Sequence, residues 1–178
     1  MKLNKVFLAL VIGASITSGA VMAANQGQGT ITFKGSIIDA PCSISFQDAN
    51  QTVELGQISK VGLLNSGSSV PRDFSITLEQ CDVSAVGKKA KIAFTGISAA
   101  NSTDLLAVSA SAGDVGVAIT DELANSIAIN GTGWDSQPLV AGDNVLRFKA
   151  MLKTTSVAKP TINEGDFTGR ANFALTYL

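Results

Sequence analysis

The sequence predicts an all-β protein, a sandwich of immunoglobulin-like type. Three observations carry that prediction. Short segments of alternating apolar and polar residues recur along the chain, with turn signals between them. Helix signals are scarce, and 17 glycines are spread through 178 residues. The last segment, residues 173–177, alternates as well: Phe173, Leu175 and Tyr177 interleave with Ala174 and Thr176.

Residues 1–23 stand apart from the fold. Lys2 and Lys5 precede an apolar run over residues 6–16, and Val21-Met22-Ala23 places small residues where a signal peptidase reads. This is a secretory signal, with cleavage expected between Ala23 and Ala24. A membrane anchor is the other reading. The run is short and broken by Gly13, Ser15 and Ser18, whereas a span needs about 20 apolar residues. Without Lys2 and Lys5 the 13 basic residues fall to 11 against 14 acidic, a net charge of −3. No basic patch stands out, so nucleic acid is not an expected partner.

Residues 27–42 follow. Gly29, Ile31, Phe33, Gly35 and Ile37 alternate with Gln28, Thr30, Thr32, Lys34 and Ser36. This strict period of two marks a strand with one apolar and one wet face. It can pair with its own body or with another molecule, and the pattern leaves both open.

The body continues with strands expected over residues 52–58 and 74–81, the latter led in by a turn at residues 70–73 and turning Phe74, Ile76 and Leu78 one way. Further strands are expected over 91–95, 115–120 and 126–130, the last ending at the Asn130-Gly131 turn. The clearest runs over 144–154, with Leu146, Phe148, Ala150 and Leu152 inward and Arg147, Lys149, Met151 and Lys153 outward. That basic outer face reads as solvated surface or, less simply, as a ligand patch. Residues 65–69, 98–101 and 109–113 read as loops, and 120–124 as a short helical turn.

Cys42 and Cys81 are the two cysteines of an exported chain, so the default is one disulfide, worth about 4 kcal/mol in the chain-entropy model.

Chemistry is sparse. With no histidine, the commonest general base and metal ligand is missing. The paired cysteines leave no thiolate, and Gly27-Gln-Gly-Thr lacks the spacing of a phosphate loop. Asp121, Glu122 and Asp135 could pair as catalytic carboxylates, but scattered loop acids usually serve solvation. No enzyme, cofactor or metal is expected. Trp134, the one tryptophan, either stacks on a sugar from an exposed loop or folds back to cap the sandwich.

Several stretches carry a family resemblance. These are Gly29-Thr-Ile-Thr-Phe-Lys-Gly-Ser-Ile-Ile-Asp-Ala-Pro-Cys42, Gln51-Thr-Val-Glu-Leu-Gly-Gln-Ile58, Ile76-Thr-Leu-Glu-Gln-Cys81, Asp143-Asn-Val-Leu-Arg-Phe148 and Ala171-Asn-Phe-Ala-Leu-Thr-Tyr177. In order and over nearly the whole mature chain, the sequence resembles the major pilins of chaperone–usher pili of Gram-negative bacteria. It is most similar to the P-pilus type and also similar to type 1 pilins.

The resemblance implies an incomplete immunoglobulin-like sandwich lacking its last strand, completed by donor-strand exchange. It implies a periplasmic chaperone that lends a strand, an outer-membrane usher, and neighbouring pilin subunits in a homopolymer at the cell surface. The donor residues would be Gly29, Ile31, Phe33, Gly35 and Ile37. The acceptor groove would include Phe173, Leu175 and Tyr177, and the family disulfide maps onto Cys42 and Cys81. The expected organisation is a signal over residues 1–23, a donor extension over 24–38 and a pilin domain over 39–178. Two alternatives remain: a minor or adaptor pilin, and a self-complete secreted sandwich that binds a ligand, such as a glycan, through the Trp134 loop.

Overall fold

The structure, a computed structural model, describes residues 28–82, 84, 89–155 and 159–178. The secretory signal, its cleavage point and residues 24–27 of the extension lie outside the described residues. The chain divides into two compact units, Met1–Ile37 and Ile38–Leu178.

In the first unit, residues 28–37 belong to no strand and are exposed throughout. The alternating run enters no sheet within the subunit, so of the two pairings left open by the pattern, pairing with its own body is not formed. Without a partner ladder the run makes no strand.

The second unit contains, in chain order, β1 (Ser43–Ile44), α1 (Phe46–Ala49), α2 (Lys60–Ser66), β2 (Arg72–Cys81), β3 (Lys89–Thr95), β4 (Leu106–Ala107), β5 (Val115–Asp121), β6 (Ser126–Ile127), β7 (Trp134–Pro138), β8 (Gly142–Thr154) and β9 (Asn172–Tyr177). One sheet runs β1-β2-β8-β5-β4, with β6 on β5; the other runs β7-β3-β9. Every pairing is antiparallel. The fold is an all-β sandwich consistent with the immunoglobulin type.

The core follows the alternation. Ile76 and Leu78 from β2, Ile92 and Phe94 from β3, and Leu146, Phe148, Ala150 and Leu152 from β8 are buried. Phe148 packs against Phe74 and Phe94, with ring centroids 5.4 Å apart in each case. Such a core residue contributes about 1.5–3 kcal/mol by burial.

Near the end of β2 the register slips. Leu78 faces Asn144 and Cys81 faces Gly142, so Glu79 and Gln80 together oppose Asp143. Gln80 takes φ 54°, and its N–H donates to the Asp143 carboxylate at 3.1 Å. This bulge shifts the side-chain phase by one residue. Cys81, rather than Gln80, is therefore buried, and it forms the disulfide with Cys42.

The sandwich has two distinguishable poles. Cys42, Cys81, the start of β8 and the start of β3 share one. The other carries α2, the start of β5 and the end of β8, where Leu63, Val115, Leu152 and Ile162 form a second buried cluster.

Several expectations are corrected. Residues 52–58 form no strand, because nothing lies in register beside them and Gly56 interrupts the run at φ 74°. Asn65 and Ser66 belong to α2, which Ser59 caps at its start and Gly67, at φ 73°, ends. β2 starts at Arg72, within the expected turn. Residues 120–124 are the end of β5 and a turn with Ala124 at φ 65°, not a helical turn. Strand β6 spans two residues of the expected five, with Asn130 bridging separately to Thr95.

Candidate functional site

The second unit opens in a slot of about 2130 Å3 between residues 51–58 and 162–173. Its floor is the sandwich interior, reached at Phe74, Phe94, Val117 and Leu152. An interior open on this scale is what a sandwich shows when one strand position is empty.

Both walls present free backbone. Strand β9 pairs with β3 alone, which makes it an edge strand. Opposite it, residues 51–58 take part in no backbone–backbone hydrogen bond among the described residues. Beyond β1 and the Ser45 N–H, which donates to the Thr77 carbonyl at 2.9 Å, side chains rather than a ladder meet the neighbouring edge of β2. The Thr77 N–H donates to Asp48 Oδ2 at 2.7 Å, and Gln51 Nε2 donates to the Ser75 carbonyl at 2.9 Å. Val53, Leu55 and Ile58 remain half-buried and line the slot.

The walls run in opposite directions. Residues 43–58 rise from the disulfide pole, where Ser43 faces Glu79, towards α2. The other wall descends from the α2 pole, where Gly169 bridges to Val108 and the Ser109 N–H donates to the Thr168 carbonyl at 2.9 Å. It ends at Leu178, beside Lys89.

Of the three expected groove residues, Phe173 lines the slot. Leu175 and Tyr177 lie deeper along β9, half-buried against the main core, where burial pushes the Tyr177 phenol up. Sequence reading missed the second wall and Leu63 at the α2 pole, and it read Leu152 as an inward residue without placing it on the slot floor. The Val53–Leu55 spacing was visible but read as a paired strand.

The expected donor residues lie in the first unit. Ile31, Phe33 and Ile37 are 78%, 89% and 104% exposed, large apolar side chains with no cover. A Cβ on Gly29 or Gly35 would meet nothing within 4 Å.

The catalytic and sugar-stacking readings find no geometry. Trp134 begins β7 rather than lying in a loop, and it is half-buried edge-on to Phe148 at 5.3 Å. Its indole N–H donates to Asp121 Oδ2 at 3.3 Å. Asp121 also accepts from the Leu123 N–H at 2.9 Å and from the Asn125 backbone and side chain at 2.8 Å each. Burial alone would push its carboxyl up, but these hydrogen bonds outweigh burial and hold it below the usual carboxylate range. Asp135 pairs with Lys91 at 3.2 Å. No cluster of metal-ligating side chains occurs among the described residues.

Fold and slot together define a class: an immunoglobulin-like sandwich with one strand position open. The sequence profile described as Fimbrial protein matches residues 31–178. The chain is 49% identical to the Fimbria A protein of Serratia marcescens over 99% of both chains. It is 44% identical to the Major MR/P fimbria protein of Proteus mirabilis (strain HI4320), again over 99% of both. A solved chaperone–usher pilus, described for the molecular basis of its rod uncoiling, superposes with a TM-score of 0.77 at 35% identity, covering 86% of this chain and 97% of that one. The chain belongs to the Fimbrial protein family. It is a structural major pilin of a chaperone–usher pilus, part of a surface fimbrium.

Proposed function

We propose that the subunit polymerises head to tail by donor-strand exchange. In this reading the extension over residues 24–38 of one subunit fills the slot of its neighbour's domain, residues 39–178. Gly29, Ile31, Phe33, Gly35 and Ile37 face inward against Phe173, Leu175 and Tyr177. Main-chain hydrogen bonds and alternating side-chain insertion make this β-strand addition.

One observation carries the reading: a slot of about 2130 Å3 with an apolar floor and free backbone on both walls, in a chain that also holds an uncovered run of the right period. Burying Ile31, Phe33 and Ile37 would contribute about 1.5–3 kcal/mol each. Donor and slot are different surfaces, so the contact is heterologous and builds an open filament. Gly35 has no neighbour that demands glycine within its own subunit. A filled slot, where backbone meets floor, would supply one.

An open apolar slot is an aggregation hazard, which supports transient cover by a periplasmic chaperone and release at an outer-membrane usher. No catalytic step is involved.

The test is Phe33→Asp and Gly35→Trp, scored by pilus counts on cells and by subunit recovered with its chaperone. Both variants should be recovered at normal levels while pili fall to background. Normal pilus numbers with either change would sink the reading.

A further inference from the structure

Two exposed apolar surfaces lie at opposite poles, and neither lines the slot. At the α2 pole, Val61, Leu64 and Val70 are exposed while Leu63 is buried. At the disulfide pole, Leu123 and Val145 are exposed at the rim of a cavity of about 130 Å3, walled by Trp134, Leu139 and Arg147. Pockets for drug-sized ligands run from about 300 Å3 upward, so this one suits inserted side chains. Gathered apolar groups of this kind mark contact surfaces.

Chain geometry names the partner, and this step rests on the donor-strand reading above. A strand laid antiparallel to β9, the one wall that is a regular strand, enters at the disulfide pole and brings Ile37 to the α2 pole. Residues 38–41 separate Ile37 from Cys42, which the disulfide and β1 anchor in the following subunit. A link of that length spans less than about 20 Å fully extended. The 10 residues of β2 alone extend about 33 Å. The following subunit's disulfide pole is therefore held against the α2 pole of the subunit it completes.

We infer that Val61 and Leu64 of one subunit pack on the Leu123–Val145 rim of the following subunit. A projecting helix turn meets a concave rim, so the contact is heterologous and repeats without closing on itself. It fixes the angle between successive subunits, which the short link, without regular structure over residues 38–40, leaves free.

The test places a photo-reactive side chain, Leu64→p-benzoylphenylalanine, in the full chain and irradiates assembled pili. The expected result is a ladder of covalent multimers with cross-links to residues 121–147 of the neighbour. Assembled pili that cross-link only elsewhere, or not at all, would overturn the contact. Should that variant fail to assemble, Leu123→p-benzoylphenylalanine reports from the other side and must reach residues 59–70. A Gly35→Trp chain that still polymerises would end the donor-strand reading, and the cross-link map of that polymer would then decide the pole contact by itself.

Discussion

Lys89 and Leu178 exchange both of their backbone hydrogen bonds: the Leu178 N–H donates to Lys89 at 3.0 Å, and the Lys89 N–H donates to Leu178 at 3.4 Å. Antiparallel pairs alternate between bonded and unbonded, so this pair sets the phase of β9. Tyr177, Leu175 and Phe173 face Ala90, Ile92 and Phe94 in unbonded pairs. Their N–H and C=O groups therefore point away from β3, along the free edge of β9, which opens on the slot at Phe173. The same three residues turn their side chains towards the core.

A donor peptide is the first way to use that phase. Cross-strand partners share a face, so Ile31, Phe33 and Gly35 would bond to the free edge of β9. A peptide covering residues 27–37 should raise the melting temperature of the domain from Ile38 onward, with both cysteines oxidised. Methylating the backbone nitrogen of Phe33 should remove most of that rise. An unchanged melting temperature with the unmodified peptide would mean that the slot does not accept this strand.

The disulfide offers a second prediction. Cys42 and Cys81 are 39 residues apart, and replacing both by alanine should cost about 4 kcal/mol by the chain-entropy estimate. Urea unfolding of the chaperone-free or peptide-filled subunit measures it. A loss below about 1 kcal/mol would show that the bulge at Gln80 holds this pole without the bond.

Asp121 predicts a pH dependence. Its carboxyl is held low in the folded protein, so its contribution is full above the ordinary value of about 3.9. That contribution is lost as pH falls through the folded value. Asp121→Asn should lower stability by about 1–3 kcal/mol at neutral pH, and by progressively less in acid. An equal loss at both ends of the range would show that shape, not charge, is what the turn needs.

Phe148→Ala tests the core. Its ring meets Phe74, Phe94 and Trp134, and its removal should cost about 3–5 kcal/mol. Unfolding in urea, with the slot filled, would show a lower midpoint at an unchanged slope; a shift under about 1 kcal/mol would mean that the open slot lets the core collapse around the gap.

Much of the fold was legible because a half-buried strand writes its geometry into every second residue. β2 and β8 show this from Phe74 to Leu78 and from Leu146 to Leu152. Residues 52–58 carry the same pattern yet form no strand, because alternation records which face is buried, not whether a partner is present. β7 escaped notice because Trp-Asp-Ser-Gln-Pro is polar along an edge, with Ser136 alone fully buried. α2 had its signals, Ser59 before and Gly67 after, but seven residues are too few for a clear helical period. The alternating run over residues 29–37 and the terminal strand were both visible. The slot was not, since an empty position has no residues to read.

The opposed directions of the slot walls carry one more consequence. A strand inserted either way up has one parallel and one antiparallel neighbour, and reversing it merely trades them. The backbone is thus nearly indifferent to polarity, because the two ladder types differ only slightly per residue. Discrimination between guests falls to side-chain sequence. Which guest holds the slot, and which way up it lies, is set by the side chains it inserts.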